Sequence, residues 1–194
     1  MKRLQFQKQW VTASAYQLFG LDNLVELKIA WPDNISPDFL TGLPNRQVYD
    51  EAISLAVKEA VKQNAAVGII VFDLDNFKIV NDTYGHLTGD EVLKEFALRA
   101  KSVLKSTDFI ARYGGEEFVV LTTCYSKAYE IGERVRLATC NKPFVIEDIN
   151  LNVTCSFGCA SYPIDGLTVE DVFNKADNAL YKAKEAGRNQ GMGG

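Results

Sequence analysis

The sequence predicts an α/β (α+β) sandwich, with helices flanking a mainly antiparallel central sheet. Three observations predict it. Val67 to Leu74 is a continuous apolar run bounded by turn residues, the mark of a strand buried on both faces. Phe109-Ile110-Ala111 and Val119-Val120-Leu121 flank Gly114-Gly115, which reads as strand, Gly-Gly turn, strand. Segments with helical spacing alternate with these strands, giving the order α-β-α-β-β-α-β-β-α.

Residues 1–38 differ from the rest of the chain. Leu4, Phe6 and Trp10 alternate with glutamines, then Leu21, Leu24, Val25 and Lys28 recur at helical spacing before Pro32-Asp33-Asn34 and Pro37 break the chain. A linker helix, the tail of an upstream regulatory domain and a dimerisation arm all fit this piece. The segment from 39 to 190 is regular and makes one domain. A helix is predicted from Asn45 to Gln63, with Val48, Ala52, Leu55, Ala56 and Ala60 inward. Thr88-Gly89-Asp90-Glu91 reads as a capping box. It would open a helix whose core stripe is Val92, Leu93, Phe96, Ala97, Ala100 and Leu104. After the hairpin of 108–122, Ser126 is the predicted cap of a helix reaching Ala138. Residues 144–160 predict two strands around Asp148-Ile149-Asn150. Thr168 caps a last helix with Val172, Phe173, Ala176, Ala179, Leu180 and Ala183 inward, ended by Gly187. The glycine-rich residues 191–194 read as a flexible tail.

The chain has 194 residues, 47% of them hydrophobic, enough for a single buried core. Its net charge of −4 argues against broad binding to nucleic acid or direct binding to an anionic membrane, either of which calls for a basic face. Cys124, Cys140, Cys155 and Cys159 form no C-x-x-C pair, and the single histidine, His86, is not near them. A zinc site is therefore not expected. Cys155 and Cys159 sit in an apolar run and read as buried free thiols, as a reducing cytosol allows. No apolar stretch approaches the length of a membrane span, and the first residues lack a signal peptide's apolar region. The expected location is cytoplasmic.

The chemistry concentrates in a few places. Asp73 and Asp75 end the buried strand two residues apart, so their side chains are expected on one side. Carboxylates on a buried strand carry a desolvation cost that a cation relieves. Alone, Asp-x-Asp is more simply a strand emerging into solvent. Beside Glu116-Glu117 on the hairpin, the metal reading prevails, and oxygen ligands without histidine or thiolate suit Mg²⁺ or Mn²⁺. Backbone N–H groups of Asn76-Phe77-Lys78 can cradle phosphate oxygens, and Lys78 can neutralise charge that builds during transfer. Asn81 and Asp90 are hydrogen-bonding types that suit guanine, whose N1–H and exocyclic amine donate to a carboxylate. Lys184 and Arg188 lie four apart and would project from one side to grip terminal phosphates. Singly, each has a plainer reading: a solvated lysine, a turn former, a helix-end cation.

Together these segments resemble the GGDEF-domain diguanylate cyclases, which make cyclic di-GMP from GTP. The resemblance runs from Asp38-Phe39-Leu40-Thr41-Gly42-Leu43-Pro44-Asn45-Arg46 through Phe72-Asp73-Leu74-Asp75-Asn76-Phe77-Lys78 to Asn81-Asp82-Thr83-Tyr84-Gly85-His86 and Gly89-Asp90. It continues with Gly114-Gly115-Glu116-Glu117-Phe118, Ser156-Phe157-Gly158, Ala176-Asp177-Asn178-Ala179-Leu180-Tyr181, Lys184 and Gly187-Arg188-Asn189. It implies a fold like that of nucleotidyl cyclases and polymerase palm domains. It also implies that Asp73, the Leu74 carbonyl, Glu116 and Glu117 bind metal, two Mg²⁺ or Mn²⁺ per active site, with Glu116 essential. Asn81 and Asp90 would hold guanine with His86 and Leu93 close by. Lys78 would stabilise the transition state, and Lys184 and Arg188 would bind the terminal phosphates. Glu in the third signature position is a variant that active members commonly use.

Product-inhibited members carry Arg-x-x-Asp before the Gly-Gly turn, and the matching residues here are Lys105-Ser106-Thr107-Asp108. Lysine is a point charge that cannot fork onto a phosphate and stack on guanine as arginine does, so weak or absent feedback inhibition is expected. The resemblance further implies a homodimer in which each subunit holds one GTP and each ribose 3′-hydroxyl attacks the partner's α-phosphorus. Two rival functions are a catalytically inactive receptor for GTP or cyclic di-GMP, and a cyclase making a mixed cyclic AMP-GMP. The intact acidic residues oppose the first, and Asp90 opposes the second.

Overall fold

A computed structural model describes residues 24–30 and 37–194. The centre is β2 (Ala65–Leu74), whose ten residues are all buried. It runs antiparallel to β4 (Glu117–Thr122) on one side and β7 (Cys155–Tyr162) on the other. Outside β4 lies β3 (Asp108–Gly114), antiparallel. Outside β7 lies β8 (Gly191–Gly193), parallel. The sheet order is thus β3-β4-β2-β7-β8, with β1 (Val25–Glu26) paired in parallel with the start of β2. The β5–β6 hairpin (Phe144–Ile146 and Ile149–Leu151) stands apart as its own two-stranded sheet.

Strand alternation divides the core in two. Ile70, Phe72 and Leu74 point with Phe118 and Val120 toward α3 (His86–Val103) and α4 (Ala128–Cys140), where Phe96, Ile131 and Val135 meet them. Val67, Ile69 and Val71 face the opposite way, with Val119 and Leu121, onto α1 (Arg46–Gln63) and α5 (Val169–Glu185). Each fully buried Ile, Val or Phe in this strand contributes roughly 1.5–3 kcal/mol, so β2 is a rigid base for whatever stands at its end. The short α2 (Phe77–Tyr84) comes directly after it. Antiparallel pairs make up the middle of the sheet, and parallel pairs are confined to β1 and β8.

Asn45 caps α1, its side chain accepting from the Val48 N–H, and Thr168 caps α5 in the same way from Asp171. On α1, Leu55 is only half-buried, while Tyr49 and Ile53 fill the inner face. The predicted capping box is not one. α3 already begins at His86, and the Thr88 hydroxyl donates back to the Tyr84 carbonyl instead of capping. Gly85, at φ 85°, turns the chain between α2 and α3, and α3 starts there with no side-chain cap. Leu104 lies just past the helix. Ser126 sits inside a 3₁₀ turn (Tyr125–Lys127), so it caps nothing, and α4 runs on to Cys140. Residues 144–160 hold β5, β6 and the start of β7, three strands where two were expected, because a turn at Glu147-Asp148 closes a separate hairpin.

The expected flexible tail is β8, fixed by pairing Gly191 with Phe157 and by the Gly194 N–H donating to the Cys159 carbonyl at 2.8 Å. The helical spacing at Leu24, Val25 and Lys28 is overridden by the pairing of β1 with β2. The alternation at Leu4, Phe6 and Trp10, Leu21 and the break at Pro32-Asp33-Asn34 lie outside the described residues. Among the described residues no helix is long and apolar enough to cross a membrane.

Candidate active site

The end of β2 places Asp73 opposite Glu117 on one side and Ser156 on the other. The hairpin turn is Gly115-Glu116, with Gly114 already paired to Glu117. Glu116 is tied to the strand end through its carbonyl, which accepts from the Leu74 N–H at 3.4 Å. Asp73, Leu74, Glu116 and Glu117 are therefore gathered from two separate stretches of chain.

The electrostatics of this corner are unbalanced. Burial, and then Asp75, push the Asp73 carboxyl above its ordinary value, against the pull of Lys184 and Arg188. Burial and the charge of Asp73 likewise raise Glu116 and Glu117, each helped by a neighbouring acid, Glu117 for the former and Asp177 for the latter. Carboxylates that raise one another's pKa are short of positive charge. Lys184, in the last turn of α5, supplies part of it with Nζ 2.8 Å from Asp73 Oδ2. Among the described residues no three acidic, histidine or cysteine side chains are already gathered as a cation cage. The donor set nonetheless fits Mg²⁺ or Mn²⁺, since all its atoms are hard oxygens and their mutual repulsion is what a divalent ion relieves.

Asp75 does something else. Oδ1 accepts from the Ser156 hydroxyl at 2.7 Å, and Oδ2 from the Thr154 hydroxyl at 2.7 Å and the Asn189 N–H at 3.0 Å. Its oxygens are engaged by the protein, which explains how a carboxylate 6% exposed is tolerated.

Asn76, in the left-handed region at φ 57°, starts α2, with Phe77 buried and Lys78 exposed in the first turn. Asn81 lies on the side of α2 facing α3. Gly89 is the contact point, since a methyl there would overlap Asn81 Oδ1 and touch the Phe77 ring. Asn81 is thereby brought against α3 at the residue before Asp90, and both are half-buried. His86 is exposed at the corner, whereas Leu93 is buried in the core. Arg188 lies just beyond α5 with φ 64°, near enough to Asp73 to act on its charge. A cleft of about 420 Å³ lies between α2 and residues 150–154, and none of Asp73, Glu116, Glu117 or Lys184 lines it.

Lys105 and Asp108 stand at the other end of the β3–β4 hairpin from Glu116. The Asp108 carboxylate accepts from the Lys105 N–H at 3.0 Å and the Thr122 hydroxyl at 2.7 Å. Sequence reasoning missed one supporting residue. Arg112 Nη1 reaches both Asp38 carboxylate oxygens, at 3.0 and 3.2 Å, and its Nε and Nη2 both reach the Gly115 carbonyl, at 3.0 and 2.7 Å. The only local hint was an arginine just before the two glycines.

The mainly antiparallel sheet of this α+β fold thus carries an acidic corner next to helix-end cations. The family model "Diguanylate cyclase, GGDEF domain" matches residues 35–190, and the chain belongs to this family. It is 38% identical to the response regulator PleD of Caulobacter vibrioides over a 195-residue alignment, covering 98% of this chain and 41% of PleD. It is 42% identical to the diguanylate cyclase DgcP of Pseudomonas aeruginosa over 155 residues, 79% of this chain and 23% of DgcP. The chain thus spans less than half the length of these relatives. Among solved structures, the GGDEF domain of DgcB from Caulobacter crescentus in complex with c-di-GMP superposes with a TM-score of 0.77 at 32% identity, covering 85% of this chain and 98% of that one.

Proposed function

We propose that this chain carries a diguanylate cyclase domain, condensing two GTP into cyclic di-GMP and two pyrophosphates at a homodimer interface. The observation that supports it most directly is Asp73 at the end of β2, with Lys184 on it and Glu117 paired to it across the sheet, next in chain to the carbonyl-tied Glu116. Asp73, the Leu74 carbonyl, Glu116 and Glu117 are the residues that would hold Mg²⁺ or Mn²⁺. The bound cations would make the ribose 3′-hydroxyl more acidic and offset charge on the departing pyrophosphate. The remaining work is positioning and charge stabilisation by the chain itself. The Asp90 carboxylate accepts from the guanine edge where α2 meets α3, and the Asn81 amide donates to it and accepts from it. The first turn of α2, with Asn76, Phe77 and Lys78, faces the phosphates, and Lys184 leaves Asp73 for the terminal phosphates together with Arg188.

Incubation with GTP and Mg²⁺ at several protein concentrations, with products separated by chromatography, tests the reading. Cyclic di-GMP should appear at a rate rising faster than linearly with protein where the dimer is weak, and Glu116→Ala should abolish it. GTP binding without product by a verified dimer would point to a receptor instead. Added cyclic di-GMP should inhibit weakly, given Lys105 in place of arginine.

A further inference from the structure

We propose that Asp75 is a positioning residue which, through Asn189, holds Arg188 in place for the terminal phosphates. This rests on the reading of the domain as a GTP enzyme and adds a part to its machinery. Arg188 and Asn189 lie beyond the end of α5 and both adopt positive φ, 64° and 47°. Two consecutive left-handed residues cost free energy and keep that shape only when something holds them. The structure provides two clamps on Asn189. Its backbone N–H donates to Asp75 Oδ2 at 3.0 Å. Its side-chain oxygen accepts from Arg136 Nη1 at 2.6 Å, and Arg136 is itself held on α4 by Glu133, with Nε at 2.8 Å.

Asp75 is well placed to anchor this turn because it is buried and hydrogen-bonded to the sheet. It comes directly after the last residue of β2, is 6% exposed, and is fixed by the hydroxyls of Ser156 and Thr154 at 2.7 Å each. The Asp75 N–H also donates to the Thr154 carbonyl at 2.9 Å. The rigid centre of the sheet therefore sets the backbone position of the residue next to Arg188. The Arg188 N–H donates to the Ala183 carbonyl at 3.1 Å, which ties the same turn to the helix that carries Lys184. A carboxylate does this better than an amide. It accepts all three bonds with charge assistance, whereas an asparagine oxygen in the place of Oδ2 would hold Asn189 by a neutral bond, with its NH₂ turned to the Ser156 hydroxyl.

The test measures binding by calorimetry with Mg²⁺, using 3′-deoxyguanosine triphosphate and monophosphate, which lack the attacking hydroxyl. Asp75→Asn should weaken the triphosphate about tenfold, the difference between a charge-assisted bond and a neutral one, and the monophosphate less than about twofold. Arg188→Ala should do the same, and the double variant should be no worse than Arg188→Ala alone, because both act through one guanidinium. Asn189→Gly is the second variant: it keeps positive φ, removes the Arg136 tether from an exposed residue, and should weaken the triphosphate selectively by about threefold. If circular dichroism shows Asp75→Asn unfolded, Asn189→Gly reads the held turn in its place, and unchanged triphosphate affinity overturns the proposal. An equal loss for both nucleotides, or a loss that adds in full to that of Arg188→Ala, overturns the proposal while the cyclase reading stands. Binding of neither nucleotide by the wild-type chain brings down both.

Discussion

Arg112→Ala should loosen the β3–β4 hairpin and lower stability together. The side chain is 14% exposed and makes two bonds to Asp38 and two to the Gly115 carbonyl. An exposed ion pair contributes about 0–1 kcal/mol. Stranding a buried charge costs about 3–5 kcal/mol. The present case falls between them. Asp38 would keep the Thr41 N–H at 2.9 Å and hydroxyl at 2.8 Å, and the exposed Gly115 can turn its carbonyl to water. A loss of about 2 kcal/mol is therefore expected, which for a domain of this size lowers Tm by about 4–8 °C. Arg112→Lys keeps the charge but has one nitrogen where three bridge Asp38 and the Gly115 carbonyl, and should lose about half as much.

Thermal unfolding by circular dichroism at pH 7 reads these values, and turnover read well below Tm should fall more than the folded fraction does, because Glu116 is the next residue after the braced carbonyl. The pH dependence has a definite sign. Burial works to raise the Asp38 pKa, but the Thr41 donors and the Arg112 guanidinium hold it below its ordinary value. The pair's contribution is then fully present above the unfolded carboxylate value and is lost as pH falls through the folded one, so wild type and Arg112→Ala should converge in acid. A Tm change under about 1 °C for Arg112→Ala at pH 7, or no convergence at low pH, would refute the brace.

Glu117→Gln should raise the Tm of the metal-free protein at pH 7 while lowering turnover. Burial and the nearby Asp73 make this carboxyl bind its proton more tightly folded than unfolded, a penalty present at neutral pH and relieved on acidification, so the gain should shrink as pH falls, and a lower Tm at pH 7 refutes it. Gly89→Ala should weaken GTP binding with a smaller effect on Tm, since its methyl must displace the Asn81 amide. Unchanged affinity would remove Asn81 from the guanine site. Thiol labelling at pH 8 should reach Cys124 and Cys140 but not Cys155 or Cys159, whose thiols burial pushes up to about 12 and about 11; labelling of all four in the native state refutes this.

A physical division separates the features legible in the sequence from the rest. Thr168 announced its helix because a cap acts within three residues, and β2 announced itself because burial on both faces leaves an unbroken apolar run. Pairing Asp73 with the hairpin acids needed only strand period and a tight turn. Thr88 misled for the opposite reason: its cap signature is local, but the corner at Gly85 had already started the helix. The roles of Asp75 and Arg112 were not legible because their partners are remote, 79, 81 and 114 residues away for Asp75 and 74 for Arg112 with Asp38. Period two grouped Asp75 with Asp73 as a cation ligand, yet a carboxylate is defined by the donors that reach it, and three arrived from β7, its approach and the turn after α5. The same residue type two positions apart thus does different work: Asp73 is left short of positive charge, and Asp75 has its charge answered by the protein. That contrast makes a prediction of its own kind, since a divalent cation should stabilise wild type through Asp73 and should still stabilise Asp75→Asn, whereas an Asp75 that ligated metal would lose that response.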